Sequence, residues 1–160
     1  MLRWLWLSAV VLVLDQATKF AADDLLTLYA PVEVLPFFNL SLSYNPGAAF
    51  SFLAGASGWQ RWFFSVLALG VSVFIVLWIK RLQAHERWTA AGLALILAGA
   101  IGNLIDRLLY GHVVDFIQLY YDRFYWPTFN IADSAITVGA VVLVVHTLFF
   151  GSETAGKAAS

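Results

Sequence analysis

The chain has 160 residues, of which 61% are hydrophobic and 12% charged, whereas a soluble domain carries about twice that share of charged residues. The formal net charge is -1, and no run of Lys and Arg is long enough to neutralise several phosphates, which argues against nucleic acid as a partner. Cysteine is absent, which excludes disulfides, Cys nucleophiles and thiolate metal sites. Because apolar segments recur along the whole length, the composition predicts a single integral membrane domain over residues 1–160.

Four segments are long and apolar enough to cross a bilayer, which takes about 20 such residues in a helix. We predict transmembrane helices at residues 4–22, 62–79, 89–105 and 132–150, and therefore an all-α membrane protein. The first segment has an alternative interpretation as a cleaved secretory signal, since Arg3 precedes it. Asp15 and Lys19 interrupt its apolar stretch, however, and favour a retained helix.

Asp15 and Lys19 are also the first candidates for a polar role inside the membrane. They lie four residues apart, so they share one helix face and are expected to form an ion pair. An ionisable residue inside a membrane helix costs about 3 kcal/mol on insertion scales, which a partner offsets. A purely structural pair and a functional one are equally open, and we assign neither residue to catalysis.

The connection 23–61 has the pattern of a small sheet. Residues 32–35 and 39–44 alternate between apolar and polar side chains, which is typical of strands. Pro36 and the sequence Asn45-Pro46-Gly47 mark turns. We expect a small sheet at the membrane surface.

The link 80–87 holds the densest positive cluster of the chain, and the positive-inside rule places it in the cytoplasm. Both termini are then cytoplasmic, and the connections 23–61 and 106–131 lie outside. Arg61, Arg107 and Arg123 fall on the outer side and weaken this bias.

Asn103, Asp106 and Arg107 share one face at the outer end of the third predicted helix, and that face is expected to look into the bundle. The alternative is a polar helix end that contacts water and lipid headgroups. Further along, an aromatic run is typical of residues at a membrane interface. Its members are Tyr120, Tyr121, Phe124, Tyr125 and Trp126.

Asp115 and Asp133 are the strongest catalytic candidates. Asp115 is a lone acid among apolar neighbours, so its pKa is expected to rise and it would hold a proton. Asp133 falls in the first turn of the fourth helix, where the dipole favours a charged carboxylate, although acids are common there without any catalytic role. Two carboxylates with opposed proton affinities suit an aspartic-type peptidase, in which one activates water and the other protonates the substrate carbonyl.

Other hydrolytic chemistries lack their motifs. No His-Glu-x-x-His or Gly-x-Ser-x-Gly sequence occurs. His112 and Asp115 have a spacing that metal ligands use on a helix, but the other two histidines lie at the inner side. We therefore expect neither a metal site nor a cofactor.

Five short segments together resemble the signature blocks of the lipoprotein signal peptidases, or signal peptidase II, which form aspartic peptidase family A8. They are Asp-Gln-Ala-Thr-Lys at 15–19, Asn-Pro-Gly-Ala-Ala-Phe at 45–50, Gly-Asn-Leu-Ile-Asp-Arg at 102–107, Val-Val-Asp-Phe at 113–116 and Phe-Asn-Ile-Ala-Asp at 129–133. Each block is weak alone, but their order and spacing cover nearly the whole chain.

The resemblance implies an endopeptidase of the bacterial inner membrane that cleaves signal peptides from diacylglyceryl-modified prolipoproteins just before the lipidated lipobox cysteine. It implies three groups of site residues. The catalytic pair is Asp115 and Asp133; the substrate-binding residues are Asn45, Asn103, Arg107 and Asn130; the structural polar residues are Asp15, Lys19 and Asp106.

The resemblance also implies a periplasmic β-cradle, a periplasmic half-helix and inhibition by globomycin, with the active site facing the periplasm. We expect a monomer surrounded by membrane lipids, and a disordered tail at 151–160.

Two rival functions remain from the residues alone. One is a small transporter or channel with a relay of buried charges, and the other is a scaffold that only binds lipoproteins. A relay would spread ionisable residues through the membrane depth. Apart from Asp15 they cluster toward the outer face, which favours an enzyme.

Overall fold

Four long helices and one small sheet make up the computed structural model, which describes residues 1–47 and 58–157. The helices are α1 (Leu5–Leu25), α2 (Trp59–Arg81), α3 (Arg87–Leu109) and α4 (Ile131–Lys157), and a short 3-10 turn at Leu2–Trp4 precedes the first. All four are long and apolar enough to cross a membrane, which confirms the predicted fold class. We call the end of the bundle that carries the sheet the sheet end. The opposite end, where residues 82–86 join α2 to α3, is the link end.

The third helix is the centre of the bundle. Within its most apolar stretch 56% of the residues are buried, against 17–22% in the other three helices. Glycines allow α4 to approach it closely: a Cβ on Gly92 would lie 2.9 Å from the carbonyl oxygen of Gly139. Nearer the sheet end, a Cβ on Gly102 would collide with the Asp15 carboxylate, so the glycine lets α1 bring this acid against α3.

The sheet has four antiparallel strands in the order β1 (Val32–Leu35), β2 (Phe38–Asn45), β3 (Val113–Tyr121) and β4 (Phe124–Tyr125). The predicted sheet in the first connection is confirmed. The pairing of β2 with β3, which places Ser43 opposite Asp115, was not foreseen. The first four residues of β3 are all buried, so this strand lacks the apolar-polar alternation from which a half-exposed strand is recognised.

Two expectations, the periplasmic half-helix and the disordered tail, are not found in the described residues. The described parts of the two outer connections contain no half-helix, and residues 48–57 lie outside the described residues, as do the last three residues of the block at 45–50. The fourth helix continues to Lys157, so helical structure extends into the segment 151–160 that we expected to be disordered. Glu153, Ala155 and Lys157 favour a helix and the segment contains no proline, although Gly151 and Gly156 disfavour one. Residues 158–160 lie outside the described residues.

Candidate active site

Asn130, at the start of α4, forms hydrogen bonds with both candidate aspartates. Its Oδ1 accepts a hydrogen bond from the backbone N–H of Asp133 at 2.9 Å, as expected of an asparagine that caps a helix. Its Nδ2 donates to Oδ1 of Asp115 in β3 at 2.7 Å. Asn130 is 0% exposed, so one fixed side chain sets the position of each aspartate relative to the other.

Asp115 is the more enclosed aspartate, with 2% of its surface exposed. Asn130 donates to its Oδ1, and Nδ2 of Asn45 donates to its Oδ2 at 3.2 Å. Burial, followed by the nearby Asp133 carboxylate, raises the pKa of Asp115 to about 7, against the opposing effect of the two amide hydrogen bonds. The predicted rise in pKa is confirmed, and Asp115 can hold a proton near neutral pH.

Asp133 is only partly buried and has fewer partners. Nδ2 of Asn103 donates to its Oδ1 at 2.8 Å. No side chain or backbone group in the described ranges donates to its Oδ2. The residue lies in the first turn of α4, where the helix dipole favours a charged carboxylate. Within the described residues, Oδ2 of Asp133 therefore accepts no hydrogen bond, whereas both oxygens of Asp115 accept one.

Both aspartates line a groove of about 1150 Å³ at the sheet end. Asn45 and Arg107 also line it, and Trp126 and Phe129 contribute apolar surface. The Arg107 guanidinium lies 5.3 Å from the centre of the Phe64 ring, and its Nη1 donates to the backbone oxygen of Asn103 at 3.2 Å. The groove thus combines two carboxylates, a cation and an amide with a largely apolar wall, and it has room for a peptide segment.

A buried charge cluster lies behind the groove. Nζ of Lys19 is 2.9 Å from Asp15 and 2.8 Å from Asp106, so the predicted pair of Asp15 and Lys19 is confirmed and gains a second acid. Asp15 accepts a hydrogen bond from the backbone N–H of Ala132 at 2.8 Å, and Asp106 accepts one from that of Val114 at 3.1 Å. These two residues directly precede the two aspartates, so the cluster fixes the backbone on which both are mounted.

The family model described as Signal peptidase (SPase) II matches residues 7–149. This chain belongs to the signal peptidase II family. The lipoprotein signal peptidase of Pseudomonas putida is 57% identical over 146 residues, which cover 90% of this chain and 85% of that protein. The lipoprotein signal peptidase of Pseudomonas fluorescens (strain Pf0-1) is 53% identical over 159 residues, covering 98% of this chain and 92% of that protein.

Solved structures agree with this membership. One bacterial membrane enzyme superposes with a TM-score of 0.83 at 32% identity, covering 94% of this chain and 90% of that one. A second has a TM-score of 0.80 at 31% identity, covering 92% and 94%. The chain is therefore a multi-pass bacterial membrane peptidase of the signal peptidase II family, and the resemblance seen in its sequence is confirmed.

The residues that this family membership suggests for substrate binding fall into two groups. Asn45 and Arg107 line the groove. Asn103 and Asn130 do not, because both are buried and their amides are bonded to the aspartates. In the described residues the amides of Asn103 and Asn130 instead donate to the two aspartates, an arrangement that orients the carboxylates.

Sequence reasoning missed Gln16 as part of the site. Its Nε2 donates to Oδ1 of Asp106 at 3.0 Å and to Oδ2 of Asp15 at 3.1 Å, and so it joins the charge cluster behind the groove. The signal was available, because a polar side chain in an apolar membrane helix requires a partner.

His112 packs against the Tyr44 ring at 4.2 Å, beside a separate small cavity of about 190 Å³. Burial lowers the pKa of His112. Among the residues that the structure describes, no three His, Asp or Glu side chains are grouped as metal ligands.

Proposed function

We propose that this chain is an aspartic endopeptidase that removes signal peptides from diacylglyceryl-modified prolipoproteins, cleaving just before the lipidated cysteine. Asp115 and Asp133 are the proposed catalytic pair, acting with one water molecule. The observation that carries the proposal is the unequal setting of two carboxylates on one groove: Asp115 is enclosed and bonded at both oxygens, and Asp133 has an open oxygen.

In the proposed reaction Asp133 is the base. Its open Oδ2 accepts a proton from water as the water oxygen bonds to the scissile carbonyl carbon. Asp115, whose pKa of about 7 lets it begin protonated, gives its proton to the carbonyl oxygen. The tetrahedral intermediate then collapses as its C–N bond breaks: the proton held by Asp133 passes to the leaving amine, and a hydroxyl group of the intermediate returns a proton to Asp115 as the new carbonyl forms. Because the two carboxylates are coupled, they titrate as a pair.

Within Asp115, we assign the proton to Oδ2. The hydrogen bond from Asn130 to Oδ1 is 2.7 Å long, and the one from Asn45 to Oδ2 is 3.2 Å. A short bond from an amide donor favours negative charge on the oxygen that accepts it. The more weakly bonded Oδ2 therefore keeps the proton, on the side of Asn45, which itself lines the groove.

The position of the groove suits a substrate that lipid chains hold in the bilayer. The groove lies at the sheet end, between strands and membrane helices, so a cleavage site at interface depth reaches it. We propose that Asn45 and Arg107 contact the substrate backbone. Strand addition to the sheet would satisfy peptide groups that lipid cannot. Globomycin would compete for the same groove.

The proposed orientation follows from charge. Lys80, Arg81 and Arg87 lie at the link end, and by the positive-inside rule they support a cytoplasmic position for this end and for both termini. The sheet and the groove then face the periplasm of the bacterial inner membrane, and the enzyme acts as a monomer.

Asp115→Asn and Asp133→Asn test the proposal. Each keeps side-chain size but removes a proton donor or acceptor, so each purified variant should be inserted and folded yet leave a diacylglyceryl-modified prolipoprotein uncleaved on a gel. Asp122→Asn is the matched control: it removes an exposed acid from the same connection, at a φ of 53° that asparagine tolerates, and should cleave fully. Globomycin should block wild-type cleavage and a metal chelator should not. Retained cleavage by Asp115→Asn or Asp133→Asn would exclude the pair.

A further inference from the structure

Lys19 reaches beyond its two acids to a third partner. Its ammonium group donates to Oδ1 of Asn103 at 2.9 Å, and the side chain is only 4% exposed. Asn103 in turn donates from Nδ2 to Oδ1 of Asp133 at 2.8 Å. The side chain of Asn103 therefore links Lys19 to Asp133 through two hydrogen bonds.

The chemistry of the two end groups fixes the direction of the amide between them. An asparagine amide has one oxygen that accepts and one NH2 group that donates, while an ammonium group can only donate. Asn103 must therefore turn its oxygen toward Lys19, and its NH2 group then points at Asp133. The opposite orientation would set NH2 against the ammonium and oxygen against a carboxylate, which are two repulsive contacts.

The two aspartates thus receive oriented amides from different sources. The amide of Asn130 is fixed by the backbone, because its Oδ1 accepts the N–H of Asp133. The amide of Asn103 is oriented chiefly by a charge, since Oδ1 faces Lys19 at 2.9 Å and Nδ2 of Asn130 at the longer distance of 3.2 Å. Removing the lysine would remove the stronger of the two constraints on Asn103.

We propose that Lys19 is a positioning residue for the reaction: it orients the Asn103 amide to donate to Oδ1 of Asp133, and so leaves Oδ2 of Asp133 directed to the groove for water. Asp15 and Asp106 hold the ammonium in place. This inference rests on the proposed role of Asp133 as the base.

The competing explanation is purely structural, with Lys19 only neutralising two buried acids. The two explanations separate in a charge-compensated variant. Asp15, Lys19 and Asp106 together carry two negative charges and one positive charge. Lys19→Met combined with Asp106→Asn leaves Asp15 alone, so the cluster keeps one net negative charge but loses the donor to Asn103.

The experiment measures kcat, KM and thermal unfolding for Lys19→Met, Asp106→Asn and the double variant. A hydrogen bond to a charged group carries enough energy that its loss lowers kcat about tenfold or more. We expect the double variant to recover thermal stability relative to Lys19→Met, with kcat still about tenfold or more below that of Asp106→Asn and KM changed less than about twofold. Lys80→Met, which removes an exposed lysine from the last turn of α2, is the control and should match the wild type.

Recovery of kcat in the double variant to the level of Asp106→Asn would overturn the proposal. Asn103→Asp gives a second test that leaves the ion pairs of Lys19 in place: the new carboxylate still accepts from Lys19 but cannot donate to Asp133. It should fold and lose kcat about as far as Lys19→Met, and wild-type kcat in this variant would also overturn the proposal. Either result is distinguishable from failure of the catalytic pair, which would show as retained cleavage by Asp115→Asn or Asp133→Asn.

Discussion

The two ends of the bundle use the same central helix in different ways. At the link end, α3 packs Leu93 and Leu97 against Ile75 and Ile79 of α2, in a cluster of buried apolar side chains. At the sheet end, the same helix presents Asn103 and its polar neighbours to buried charges on α1. Apolar side chains interdigitate without directional bonds, whereas the polar face fixes each donor and acceptor. One helix therefore packs through apolar side chains at one end and through directed polar contacts at the other.

The burial of charge at the sheet end has a physical cost that apolar packing does not. Each buried carboxylate of the cluster is satisfied by Lys19 and by a backbone N–H, which offsets the loss of water. A cluster of this kind adds little to the free energy of unfolding, but it restricts the conformations of the side chains and backbone groups that it binds. Substitutions at the two ends should accordingly affect different observables.

Outside the catalytic pair itself, the largest effect on activity is expected from Asn130→Ala. The change removes the amide that bonds Asp115 and the cap that bonds Asp133, and two hydrogen bonds to charged groups or their backbone correspond to about 3 kcal/mol. We expect kcat to fall by about 100-fold in steady-state cleavage assays. A decrease of less than about threefold would show that the two aspartates do not need this shared support.

A smaller effect is expected from Leu97→Ala at the link end, and this substitution should lower stability instead of activity. Leu97 is buried in the apolar cluster, so its truncation leaves a cavity and lowers the free energy of unfolding by about 2 kcal/mol. The kcat of the folded enzyme should stay within about twofold of wild type. Leu69→Ala, at a lipid-facing position of α2, is the matched control and should change the unfolding free energy by less than about 0.5 kcal/mol. A loss of kcat in Leu97→Ala as large as in Asn130→Ala would remove the distinction between the two ends.

Much of the fold follows from the sequence because membrane spans and half-exposed strands leave periodic signals. Length and hydropathy locate all four helices, and alternation locates β1 at Val32–Leu35. The strand β3 leaves no such signal, since an apolar run around one acid is equally compatible with a loop or a helix. The sequence therefore predicts the apolar environment of Asp115 but not the strand that carries it.

The site was predictable as a set of residues but not as a set of contacts. Spacing along α1 predicts the pair of Asp15 and Lys19, because both lie on one element. The bond between Lys19 and Asp106, and the direction of the Asn103 amide, depend on how α1 and α3 are packed together. A single sequence does not contain that packing, so the hydrogen bonds from Asn103 and Asn130 to the two aspartates could not be predicted.

The pH dependence of kcat/KM tests most directly the claim that the sheet end holds one protonated and one open carboxylate. The pKa of Asp115 is raised to about 7, so the proton that it must donate is present below this pH and is lost above it. The wild-type enzyme, assayed from pH 5 to pH 9 with substrate well below KM, should lose activity about tenfold per pH unit above about pH 7. A rate that stays constant up to pH 9 would contradict the account, because Asp115 could not then be the proton donor.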